Sequence, residues 1–92
     1  MDNKVQKEID DLHKMIQNWK RSDLTHYTPE GPNKWIWEDF VEKISRWIIP
    51  YVRRLLACDY ITEEEYYNFL TQTRHESEDM RFLLKLPMPK GD

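Results

Sequence analysis

The chain has 92 residues, a net charge of −3 and one cysteine, Cys58. That size fits one domain, and the composition excludes the basic excess of a general nucleic-acid binder, an intramolecular disulfide and a thiolate zinc cage. A charged content of 34% and a mean hydropathy of −0.89 lean towards disorder, but 13% aromatic residues, with four Trp, lean the other way, so a compact core of few but large side chains is expected.

The opening MDNKVQKEIDDLHK lacks the apolar centre of a secretion signal. No run reaches the ~18 apolar residues of a membrane span. A lone cysteine suits a reducing compartment, so the expectation is a cytoplasmic protein without membrane contact.

Residues 3–22 read as helix 1. Val5, Ile9, Leu12, Ile16 and Trp19 recur at alternating spacings of four and three, the narrow stripe of a coiled coil or bundle. Lysines and Asp10 and Asp11 take the solvated side, and Lys20 and Arg21 suit the negative end of the helix dipole. The stripe is read first as internal packing, with pairing to its own copy as the sharper alternative. Residues 7–16, KEIDDLHKMI, resemble the opening helix of the small all-helical chorismate mutases. That resemblance implies a longer first helix and several cations around a dicarboxylate. Pro29 and Pro32 end the helix, and Lys14, Lys20 and Arg21 do not make such a set, so no activity is carried over.

Residues 23–34, DLTHYTPEGPNK, form a loop, because Pro29, Gly31 and Pro32 cannot continue a helix. Its length predicts a wrap over the bundle, anchored by Leu24 and Tyr27. Helix 2 spans about 34–58, with Asn33 as its N-cap. On an ideal wheel Trp37, Phe40, Val41, Ile44, Trp47, Ile48, Tyr51, Val52 and Leu55 share one broad face. Pro50 removes the hydrogen bond to the Arg46 carbonyl, yet the apolar rhythm runs through it, which predicts one kinked helix rather than two. Trp35, Glu42, Arg46, Ile49 and Arg53 line up on the opposite side.

Helix 3 spans about 62–85. Thr62 and Glu65 make a capping box, with Ile61 and Tyr66 placed as a hydrophobic staple. Its inward stripe is Tyr66, Phe69, Leu70, Thr73, Ser77, Met80 and Leu84; the small Thr73 and Ser77 predict either a close helix approach or a groove. Tyr67 and Phe82 lie off that stripe. Residues 86–92 read as an extended tail, with Leu86-Pro87-Met88-Pro89 of polyproline character.

No catalytic, cofactor or metal residues are expected. His13, His26 and His75 fall in separate segments, and His75 with Asp79 reads as a surface ion pair. Cys58 sits at a helix C-terminus with no His beside it in the sequence and reads as structural or incidental. Glu63 to Glu65 are explained by capping, and two glycines make no phosphate loop. The reading is an all-α, antiparallel three-helix bundle with a Pro50-kinked central helix. Its expected role is non-enzymatic protein–protein interaction, as an adaptor, regulator or inhibitor, with self-association as a homodimer. Trp35, Arg46, Ile49, Arg53, Tyr67 and Phe82 are the expected contact residues, Trp and Arg being enriched at binding hot spots. The alternative is a small nucleic-acid-binding regulator, with Arg46 and Arg53 on phosphates and Trp35 stacked on a base.

Overall fold

The computed structural model describes residues 2–87, which are helical apart from caps and two connections, with no strand among them. The elements are α1 (Asn3–Leu24), α2 (Lys34–Lys43), a π turn (Ile44–Ile48), α3 (Ile49–Ala57) and α4 (Glu63–Leu83). The all-α expectation is met.

Asp2 caps α1, its carboxylate accepting from the Val5 N–H at 2.9 Å. Val5, Ile9, Leu12 and Ile16 are buried, and the stripe continues to a buried Asp23 because α1 runs to Leu24. This seam is covered within the chain and is not available to a second copy. The loop that follows is closed by Asn33. Its side chain accepts from the Thr28 N–H at 3.1 Å and donates to the Thr28 carbonyl at 2.8 Å. Asn33 stands at the N-cap position of α2 but gives that helix no side-chain hydrogen bond.

The middle helix is continuous from Lys34 to Ala57, and its core positions explain its shape. Ile36, Phe40, Ile44, Ile48 and Val52 are buried at a constant spacing of four, followed by Leu55. At about 100° per residue, each four-residue step overshoots a turn, and four steps would carry the stripe roughly 160° around an ideal helix. The π turn absorbs this drift. There the Ile49 N–H donates to the Ile44 carbonyl, five residues back rather than four. The wider turn holds one more residue and brings Ile48 and Val52 back beneath Ile44. Pro50 follows in the first turn of α3, where its missing N–H falls at the change of hydrogen-bond register.

An ideal wheel therefore misplaces several side chains. Trp47, expected in the core, is 64% exposed; Ile36, not expected there, is fully buried. Trp37, Val41 and Tyr51 are half-buried flanks.

α3 and α4 both end in Schellman motifs. Tyr60 N–H donates to Leu55 O and Asp59 N–H to Leu56 O; Leu86 N–H donates to Arg81 O and Lys85 N–H to Phe82 O. Asp59 and Lys85 take the left-handed conformation that this requires, at φ 62° and 56°. The capping box of α4 is complete: Glu65 N–H donates to Thr62 Oγ1 at 3.1 Å, and Thr62 N–H to Glu65 Oε1 at 2.8 Å.

Cross-helix contacts give the directions. His13 of α1 packs its ring 4.7 Å from that of Phe69, and Lys20, further along, bonds Glu76 at 2.9 Å and Asp79, so α1 and α4 run the same way. Glu8 meets Tyr51 while Asp23 meets Lys43, so the middle helix runs against α1. Trp37 fills the thin middle of the α4 stripe. Its indole N–H donates to the Ser77 carbonyl at 3.0 Å, and the Arg81 guanidinium lies 4.4 Å above its ring. Leu86 and Pro87 follow the end of α4; the expected extended conformation at Met88 and Pro89 lies outside the described residues.

Candidate interaction surface

The extra residue in the π turn rotates everything after it by about 100° relative to what precedes it. Trp35, Asp39, Glu42 and Arg46 stay on the outer side of the middle helix, and Trp47 joins them. Asp39, Glu42, Lys43, Arg46 and Trp47 line one shallow hollow of about 210 Å³. Trp35 is 51% exposed, its ring 5.7 Å from that of His26 in the loop just after α1. The loop thus supports one edge of Trp35 without covering it.

The charges on this face are ordered. Lys34 pairs with Glu38 at 3.8 Å, Asp39 with Lys43 at 2.9 Å and Glu42 with Arg46 at 3.0 Å, each one turn apart. In the last two the acid precedes the base, the orientation that agrees with the helix dipole. Lys43 also reaches inward to Asp23 at 3.2 Å and so ties this face to the end of α1. Burial pulls the Lys43 ammonium down in pKa, but the hydrogen bonds to Asp39 and Asp23 outweigh it and hold it above its ordinary value. For Asp23, burial pushes the carboxyl up, and the hydrogen bond from Lys43 does not fully offset this. Its Oδ2 is buried and has no hydrogen-bond partner.

The remaining contact candidates do not gather here. The π turn swings Ile49 and Arg53 away from Trp35 and Arg46. Ile49 is half-buried against the core, and Arg53 is exposed. Tyr67 and Phe82 are both exposed on α4 but stand about 22 Å apart along it. Phe82 belongs to a separate apolar hollow with Leu83, Lys85 and Leu86. The acids of α4 serve α1: Asp79 and Glu76 hold Lys20, not His75 or the arginines of the middle helix. Among the described residues no group of three His, Cys, Asp or Glu side chains is placed to hold a metal ion. Cys58 is an exposed thiol at the end of α3. No described helix is long and apolar enough to cross a membrane.

Sequence reasoning missed Trp47, Asp39 and Lys43 as surface partners of Trp35. The signal was present in the unbroken four-residue recurrence from Ile36 to Val52, which an ideal α-helix cannot keep on one side.

The chain matches no family model, and neither the curated proteins nor the solved structures give a match.

Proposed function

We propose that this is a non-enzymatic protein-interaction domain that binds through the outer face of its middle helix. One observation carries the reading: two large indoles, Trp35 and Trp47, stay in solvent on one helix side between paired charges. Burying a Trp gives up to about 250 Å² of contact per side chain, and a tryptophan ringed by charged pairs is the composition of an interface core with a polar rim. Self-association and a cytoplasmic setting belong to the same reading, the second resting on the exposed thiol of Cys58. The nucleic-acid alternative loses support, because Arg46 is engaged by Glu42 and Arg53 is turned away from it.

The test compares the wild-type chain with a Trp35→Ala/Trp47→Ala variant as bait in extracts of the native host. Thermal melts establish that both baits are folded. Partners retained by the wild type and lost by the folded double variant support the reading. Equal retention by both baits, or salt-sensitive capture of nucleic acid by both, counts against it.

A further inference from the structure

The exposed face of the middle helix has an internal symmetry that points to its occupant. Trp35 and Trp47 lie six residues either side of Val41, and Asp39 and Lys43 lie two either side of it. A two-fold contact sets each residue before its axis against the matching residue after it in the partner. We propose that this face binds a second copy of the chain, antiparallel, about a two-fold axis at the level of Val41. The proposal rests on the protein-interaction reading and names the partner. One axis then sets Trp35 against the partner's Trp47 and Asp39 against the partner's Lys43, each contact occurring twice.

Within the Asp39 and Lys43 pairs, charge order favours this arrangement over two neighbouring ones, and the Glu42 carboxylates that meet beside the axis are each held by their own Arg46 at 3.0 Å. Moving the axis to the level of Asp39 or of Lys43 sets like charge against like, and a parallel pairing does so at both. In the proposed register the Asp39–Lys43 pairs of the two helices combine into a ring of alternating charge. The two indoles of each helix, about 18 Å apart along its axis, bracket that ring. Each Trp ring is exposed now and loses water on both sides of the contact. The α1 stripe is spent inside the chain, and the middle helix is the face on which two exposed indoles flank paired charges. A contact of about three turns is small, so the dimer belongs to the weak class, with dissociation in the micromolar range.

Sedimentation equilibrium of the full chain tests this together with disulfide trapping. The wild type should show a monomer–dimer equilibrium at micromolar concentration, and Trp47→Ala should weaken it roughly ten-fold or more, with a melting temperature that is unchanged when both are measured well below the association range. In a Cys58→Ser background, Glu42→Cys, an exposed position beside the axis, should form a disulfide-linked dimer with oxidised glutathione. Gln17→Cys, exposed on α1, should not. A wild type that remains monomeric at several hundred micromolar overturns the proposal. So does an unchanged dimer constant in Trp47→Ala, or equal trapping at both cysteines. Any of these results combined with Trp-dependent capture of a different protein from extracts leaves the interaction reading standing without the second copy.

Discussion

Lys85 and Asp59 occupy a backbone region that L-residues avoid, each closing a helix end. The hydrogen bonds of the Schellman motif hold them there, and glycine removes the steric cost of Cβ. Lys85→Gly should therefore raise stability by up to about 1 kcal/mol in urea titrations, the left-handed cost of about 1–2 kcal/mol outweighing glycine's extra chain entropy of about 0.5–1 kcal/mol; a loss would mean that the Lys85 side chain contributes more than its strain removes. Asp23 is a second residue held against its preference. It is 5% exposed, one of its oxygens is unpartnered, and burial raises its pKa against the pull of Lys43. A carboxyl with a folded pKa above its unfolded value binds more protons in the native state within that window. Stability from this group therefore rises as pH falls through the folded pKa and levels off below the unfolded one, near 4. Asp23→Asn should flatten this component, so that the wild type gains on the variant as the solution is acidified from pH 7 towards 4. The sign of that difference is read from melts of both proteins across that range. A wild type that instead loses ground to Asp23→Asn on acidification would show that the Lys43 pair dominates.

α4 was legible in the sequence because its signals are local. Thr62, Glu65 and Ile61 decide their geometry within a few residues, and the structure places them as that chemistry requires. Thr62→Ala should cost about 1 kcal/mol, with the loss visible as reduced protection of the first α4 amides in hydrogen exchange. The Thr62 N–H holds the Glu65 carboxyl below its ordinary pKa. Its contribution is therefore complete above the unfolded value and fades as pH falls through the folded one, opposite in sign to that of Asp23. The middle helix was less legible, because its shape depends on what packs against it. Ideal periodicity put Trp47 inside and left Ile36 out, whereas the core selects every fourth residue and the backbone widens to comply. This view gives Pro50 a modest energetic role. A proline in a plain helix interior costs about 3 kcal/mol, but here the ladder already shifts register at Ile49. Pro50→Ala should change stability by less than about 1 kcal/mol and leave helicity nearly constant by circular dichroism. A gain close to 3 kcal/mol would show instead that the proline forces the distortion.

At the scale of the molecule, the tryptophans of the middle helix divide between cohesion and contact, and the π turn draws the line between them. Trp37 lies between the middle helix and α4, with its N–H on the Ser77 carbonyl and Arg81 stacked on its ring. It fills the gap left by Thr73 and Ser77, which the sequence marked as thin without showing what entered it. Trp47, ten residues later and on the same face of an ideal wheel, stands in solvent. The two assignments predict opposite mutational profiles. If the four-residue stripe and the π turn set the register, Trp37→Ala opens a gap at the α2–α4 contact and removes the indole hydrogen bond and the Arg81 stack, costing roughly 2–3 kcal/mol, less than full burial would because the indole is half-buried. Trp47→Ala then stays within about 0.5 kcal/mol, as surface changes do. Chemical denaturation of both variants, measured well below the concentration at which chains associate, separates the cases. Comparable losses at the two positions would place both indoles in one core and remove the physical basis for the exposed face, whereas a large loss at Trp37 alone assigns Trp47 to whatever binds from outside.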